Sequence, residues 1–376
     1  MSENKNYKIY ADQIDGKTMS QFFSAMKEPY VVKGALMPDA HAGYALPIGS
    51  VVATDGVVVP SWVGYDIGCG MSAIKTSFSK MDVIVNSKLI FESMYRAVPV
   101  GFQHNKHDTK WNDNHIPRTN TMKEIFNNGG RKQLGSLGGG NHFIEIGYDK
   151  DDIVWVIVHS GSRGVGHATA THYMKLASGD GKAREGHYWF SADSDNGKDY
   201  IMDLHFCQEF ALKNREEIVN RTLGQISHYC GGERKTGELI NRNHNHAELK
   251  NGWWIHRKGA TQAELGMLGV IPGNMRDGSF IVEGKGNPES LWSSSHGAGR
   301  MLSRSEAKRV IDIDDFRSTM GDVVCKAEEG TIDESPFAYK NIFEVMNLQK
   351  DLVEIKNHIK PIINIKANET RRKRRS

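Results

Sequence analysis

Five short segments set reactive side chains among glycines and asparagines: Asp66-Ile67-Gly68-Cys69-Gly70, Gly138-Gly139-Gly140-Asn141-His142, His159-Ser160-Gly161-Ser162-Arg163-Gly164, Asn243-His244-Asn245-His246 and Ser295-His296-Gly297-Ala298-Gly299-Arg300. One carboxylate, one thiol and several imidazoles make a mixed O, S and N donor set. Such a set suits Zn2+, Mn2+ or Fe2+ and argues against Mg2+ or Ca2+. Asp66 and Cys69, placed around Gly68, can reach one cation from a tight turn, and a thiolate can bridge two metals. Taken singly, each histidine is more often a core or surface residue. Asp66, Cys69, His142, His159, His244 and His296 together read as one buried centre with a reactive imidazole beside it. The three glycines before Asn141 let the backbone approach an anion, and Asn141 can donate to a phosphate. The hydroxyls and arginine of residues 160–164 suit phosphate as well. The Asn-His-Asn-His run differs from a His-Asn-His nuclease, whose residues spread over a longer ββα unit.

The elements that must hold these groups are partly visible. Ile153 to Val158 is an unbroken apolar run of strand length, which predicts a buried strand delivering His159 at its C-terminal end. Residues 49–54 and 57–60 read as two short strands around an Asp55-Gly56 hairpin turn. Residues 252–256 and 280–282 read as further strands. Leu204, Cys207, Ala211 and Ile218 recur at helical spacing, so Cys207 belongs to a core rather than to chemistry. Ser303 and Glu306 are spaced as a capping box. Residues 85–135 form a polar excursion. Strands and helices are interspersed without regular βαβ alternation, which predicts an α+β fold in a single domain over residues 1–368, with mixed sheets enclosing the metal centre.

Composition sets the class. Hydrophobic residues at 39% and charged residues at 25% fit a globular protein and exclude a disordered or fibrous one. No apolar run approaches the roughly 20 residues of a membrane span. The N-terminus lacks a signal-peptide core, and Cys69, Cys207, Cys230 and Cys325 show no disulfide spacing. A cytoplasmic protein without membrane contact is expected. The net charge of +3 hides a basic tail at 369–376, with Arg371-Arg372-Lys373-Arg374-Arg375 as a run that binds polyanions or is simply solvated.

Ordered along most of the chain, eight segments resemble the RtcB family of RNA ligases. They are Met37-Pro38-Asp39-Ala40-His41-Ala42-Gly43-Tyr44 with Leu46-Pro47-Ile48-Gly49, then Gly64-Tyr65-Asp66-Ile67-Gly68-Cys69-Gly70, Leu137-Gly138-Gly139-Gly140-Asn141-His142-Phe143-Ile144-Glu145 and His159-Ser160-Gly161-Ser162-Arg163-Gly164. His256-Arg257-Lys258-Gly259-Ala260, Ile271-Pro272-Gly273, the segment from Ser295 to Arg300, and Asp333-Glu334-Ser335-Pro336 with Ala338-Tyr339-Lys340 complete the series. The resemblance implies a GTP-dependent enzyme with two Mn2+ ions. Such an enzyme joins RNA 3′-phosphate or 2′,3′-cyclic phosphate ends to 5′-hydroxyl ends, in RNA repair or tRNA splicing. It implies RNA and GTP as partners, and an activating protein such as archease.

By the same resemblance, Cys69 bridges two metals, Asp66 and His142 complete one site, and His159 and His244 the other. His244 is chosen over His246 because the family pattern is His followed by Asn. His296 is the nucleophile that carries GMP. Asn141 matches a phosphate contact. Glu145, Ser279, Tyr339 and Lys366 match guanine- or ribose-side contacts, and a carboxylate at 145 would favour guanine over adenine. Gly297, Ala298 and Gly299 leave room for the nucleotide, Arg300 is a candidate phosphate contact, and Asp39 and His41 orient ligands by hydrogen bonds. Three positions depart from the family pattern. Asn274 replaces a serine at a nucleotide contact, Lys366 is followed by Ala367 and a tail instead of a closing glycine, and Ala45-Leu46 replaces Gly-Phe. Two other readings use the same ligands: a metal-dependent phosphoesterase or nuclease without a covalent nucleotide, and a non-catalytic RNA-binding relative.

Overall fold

The computed structural model describes residues 6–232 and 237–368, so the basic run at 371–375 lies outside the described residues. Two large sheets organise the chain. The five-stranded sheet runs Asn6–Ile9, Val31–His41, Ile48–Thr54, Trp253–Lys258, Asn245–Lys250 in spatial order. The seven-stranded sheet runs Leu268–Pro272, Ser279–Gly284, Val353–Ile365, Phe143–Tyr148, Ile153–Ser160, Gly70–Ser79, Ile240–Asn243, with each neighbouring pair antiparallel. Its two edge strands return toward each other, and Arg242 Nε donates to the Leu268 carbonyl at 3.2 Å. This mixed α/β arrangement with several sheets matches the fold class expected from sequence.

The apolar run around residue 155 is a strand covered on both faces. Val154, Val156 and Val158 pack against Ile218, Val219, Leu223 and Ile226 of the helix Asp195–Cys230. Trp155 and Ile157 face the other way, onto Phe143, Met71 and Ile359. The two-residue period then places His159 on this second, inner face. Glu145 sits opposite Ile157 and shares that face. Leu204, Cys207, Ala211 and Ile218 line the buried stripe of the long helix, so Cys207 is core.

Two expectations change. The Asp55-Gly56 turn joins no hairpin, because both edges of Ile48–Thr54 are already taken by Val31–His41 and Trp253–Lys258. Val57–Val58 instead leaves to pair with Phe190–Ser191. The polar stretch 85–135 is more than an excursion, since it buries Ile90, Met94, Met122 and Phe126 on helices Ser87–Ala97 and Asn120–Asn127. Ser303 does cap Arg304–Val310, accepting from Glu306 N at 3.2 Å.

Candidate metal centre and nucleotide cleft

Four adjacent strands of the larger sheet bring the metal-type donors to one rim. His142 immediately precedes Phe143–Tyr148, His159 is the penultimate residue of Ile153–Ser160, Cys69 immediately precedes Gly70–Ser79, and His244 immediately follows Ile240–Asn243. Because the strands alternate in direction, these starts and ends fall at the same level. Cys69 Sγ lies 3.4 Å from His142 Nε2 and 3.2 Å from His159 Nε2. Asp66 Oδ2 is 3.0 Å from His142 Nε2, and His244 Nε2 is 3.3 Å from His159 Nε2. The far ring nitrogens are occupied elsewhere: His142 Nδ1 is 2.9 Å from the Leu137 carbonyl and His159 Nδ1 is 3.2 Å from that of Asn141. Donation there fixes the tautomer and turns each Nε2 lone pair toward the thiol, the arrangement that presents imidazole to a cation. His246 instead packs against Arg257 Nη1 at 3.1 Å.

The charge states fit a cation as well. Burial, with added charge from His142 and His296, holds His159 well below the ordinary imidazole range, and burial with His296 and His159 does the same for His244. Both are therefore neutral, the ligand form. Burial and the Asp66 carboxylate push the Cys69 thiol well above its usual value. A thiol in that setting becomes a thiolate when a divalent ion supplies the compensating charge. Burial raises the Asp66 carboxyl, but His142, Cys69 and the Arg163 guanidinium together bring it below its ordinary value.

Sequence reasoning missed what positions these donors. Arg215 is fully buried on the long helix. It donates to the carbonyls of Gly68 at 2.8 Å and Ser160 at 2.9 Å, and to Asn241 Oδ1 and Asn243 Oδ1 at 2.7 Å each. One guanidinium thus joins the turn before Cys69, the residue after His159 and the strand before His244. The preceding residue, Asn214, holds Gly135, Ser136 and Gly161. Gly68 lies at φ 73°, and a Cβ there would come 2.8 Å from Ala211 Cβ on the same helix, so the Cys69 turn docks because it has no side chain at that point. Asn245 gives the His-Asn pair a physical role: its side chain donates to the Asp66 carbonyl at 3.3 Å and accepts from Gly259 N at 2.7 Å.

His296 stands beside this cluster. Its ring centroid is 4.8 Å from that of His244. Asp39 Oδ2 lies 2.7 Å from His296 Nδ1 and accepts from the backbone nitrogens of His296 and Gly297 at 3.1 and 3.3 Å. Asp39 thus orients His296 rather than the metal-type donors, a correction to the role expected for it. Burial alone would raise its carboxyl, yet His296 and His41 bring it below the ordinary value. The close backbone is enforced at Gly299, φ 76°, where a Cβ would meet the Asp39 carbonyl at 2.2 Å.

Beyond His296 a cleft opens, lined by Asn141, Asn274, Gly297, Ala298, Gly299, Arg300, Tyr339 and Lys366 among others. Its far wall is organised by Glu334, whose role no spacing announced. Glu334 takes Lys366 Nζ at 2.8 Å, Arg304 Nη1 at 2.5 Å, Arg300 Nη1 at 3.3 Å and the Tyr339 hydroxyl at 2.6 Å. Burial pushes its carboxyl up, but Lys366, Arg304 and Arg300 bring it down to about 2. Arg304, the residue after the Ser303 cap, carries no local sequence signal for this role either. Lys366 points into the cleft despite the altered chain end, and also donates to the Asn141 carbonyl at 3.2 Å. The Asn274 amide is spent on its own turn: Nδ2 donates to Asp277 at 2.7 Å and Oδ1 accepts from Arg276 N and Asp277 N. Asn364 also lines the cleft, and Glu145 is its partner on the neighbouring strand. Burial raises the Glu145 carboxyl to about 8, against the lowering effect of the neighbouring Ser279 and Asn364 side chains and of Lys366.

A family model described as tRNA-splicing ligase RtcB matches residues 21–129 and 113–367. The RNA-splicing ligase RtcB of Escherichia coli K12 is 34% identical over 97% of this chain and 98% of that protein. The tRNA-splicing ligases RtcB of Thermococcus kodakarensis and Pyrobaculum aerophilum are 29% and 28% identical, covering 91% and 90% of this chain and 90% of each relative. Matched along nearly all of its length, and carrying its metal-type donors at one rim of one sheet, the chain belongs to the RtcB family.

Proposed function

We propose that this protein is a GTP- and Mn2+-dependent RNA ligase that joins 3′-phosphate or 2′,3′-cyclic phosphate ends to 5′-hydroxyl ends. The observation that carries this reading is the Asp39–His296 pair at 2.7 Å, set beside the donor cluster and not within it. With Nδ1 held by a carboxylate, Nε2 is the nitrogen left to attack, and Asp39 stabilises the positive charge the ring gains.

In the proposed first step His296 Nε2 forms a bond to the α-phosphorus of GTP, and the bond to the bridging oxygen breaks to release pyrophosphate. An oxygen of the RNA 3′-phosphate then attacks that phosphorus, the P–N bond breaks, and the guanylate is joined to RNA through a pyrophosphate link. Attack by the 5′-hydroxyl on the RNA phosphorus forms the phosphodiester and releases GMP. Cys69 between Asp66/His142 and His159/His244 is the set that would hold two divalent cations, which supply positive charge to the transferring phosphates. Asn364, Lys366, Tyr339 and Arg300 line the cleft, and Glu145, paired opposite Asn364 in the sheet, adds a carboxyl of the kind a guanine edge needs.

The test is ligation of two RNA strands, one ending in 3′-phosphate and one beginning with 5′-hydroxyl, with GTP and Mn2+. Joined product that needs both is expected. RNA hydrolysis without GTP would favour the phosphoesterase reading, and RNA binding without any turnover would favour the non-catalytic one.

A further inference from the structure

A second cleft opens on the other side of the donor cluster. Tyr65, Phe102, Asn141, His142, Arg163 and His167 are among its walls. Asn141 lines both clefts, whereas His142 faces this one and His159 the nucleotide cleft. The two imidazoles are adjacent, with ring centroids 5.2 Å apart. A group reaching over Asn141 from this side would meet whatever His296 carries on the other.

The walls have an unusual character for a water-filled opening. The Tyr65 and His167 rings are stacked, 4.8 Å apart and 19° from parallel. His167 is exposed on the outer face of the helix Arg163–Ser178. Phe102 is 100% exposed, although a phenylalanine gains by burial. At the inner end stands Arg163, with left-handed backbone at φ 58°. Its Nε and Nη2 are fixed on Ser136 Oγ at 3.2 Å and the Gly101 carbonyl at 2.6 Å. A preformed ring stack, a free aromatic face and a fixed guanidinium are what an unpaired base followed by a phosphate would need. Bases in a duplex cannot offer their faces to such a surface, whereas single strands bind by stacking on aromatic side chains.

We propose that this cleft seats the single-stranded 3′ end of the RNA, with its terminal base stacked on the Tyr65–His167 pair and its 3′-phosphate directed past Arg163 toward Asn141. Phe102 covers the preceding base. The proposal rests on the ligase reading for the identity of the strand, but its measurement does not use GTP.

The test is fluorescence anisotropy of a short single-stranded RNA ending in 3′-phosphate, with Mn2+ and without GTP. His167→Ala and Tyr65→Ala should each weaken binding roughly tenfold, while Tyr65→Phe retains it. An RNA with an abasic terminal nucleotide should bind wild type as weakly as the normal RNA binds His167→Ala, and should lose nothing further in that variant. Should Tyr65→Ala fail to fold, His167→Ala, on an exposed helix face, carries the test. Unchanged affinity in His167→Ala, or an equal loss for a strand bearing only a 5′-hydroxyl end, would overturn the proposal. Absence of GTP labelling in the wild-type protein would defeat the ligase reading instead, and is read separately.

Discussion

The cysteine–histidine cluster and the Glu334 network stand at two ends of one cleft, and they handle charge in opposite ways. At the cluster, the donors include the neutral imidazoles of His159 and His244, a thiol held protonated and a single, half-buried carboxylate. Of the arginines beside them, Arg215 spends its hydrogen bonds on backbone carbonyls and asparagines, and Arg163 donates to Ser136 and the Gly101 carbonyl. At the other end three cations and a phenol already converge on one carboxylate. One end is short of positive charge and the other has it in hand. On the function proposed above, the difference means that an ion would complete the cluster, whereas the network is already paired and would share its cations with an arriving phosphate.

The largest effect should come from removing the shared thiol. Cys69→Ala should weaken Mn2+ binding by more than the roughly 10–100-fold seen when only an outer partner is lost, read by calorimetric titration. Mn2+ affinity within twofold of wild type would remove the cluster from the account. Next, Glu334→Gln leaves Lys366 buried without its partner and should cost about 3–5 kcal/mol in urea unfolding, with Mn2+ affinity unchanged. Arg215→Met orphans several buried acceptors and should cost about 2–3 kcal/mol, but it should also lower Mn2+ affinity roughly tenfold. This crossed pattern breaks if both variants affect the cation equally.

The smallest effect is a slope with pH. Burial raises the Glu145 carboxyl from 4.5 to about 8. A folded-state value above the unfolded one means the neutral acid is favoured by the fold. Its contribution is complete below about pH 4.5 and is lost as pH rises through about 8. The difference in stability between wild type and Glu145→Gln should therefore move against wild type by up to about 1.4 kcal/mol per pH unit across that window. A difference independent of pH would place the Glu145 carboxyl in water.

What could be read from the sequence follows the same division. The cluster was legible because thiols and imidazoles among glycines are few and chemically specific. Ile153–Ser160 was legible because its apolar run admits few other structures. Arg215 and Asn214 were not, because on a helix of 36 residues a polar side chain looks solvated until the sheet it packs against is known. Glu334 and Arg304 are joined across 30 positions by a contact that leaves no local pattern. The roles of Glu145 and Lys366 came only from family resemblance, and the altered chain end did not move Lys366 from the cleft. The Asp55-Gly56 turn misled because turn chemistry states that the chain reverses, not which strand takes the vacant edge.

The central claim is that His296 is the nucleophile and not a further ligand. Incubation with Mn2+ and α-labelled GTP, followed by a denaturing gel, tests it directly. The account predicts a labelled wild-type band that is absent from His296→Ala, while that variant still binds Mn2+. Label that persists in His296→Ala, or a wild-type protein that binds Mn2+ and takes no label, would contradict it.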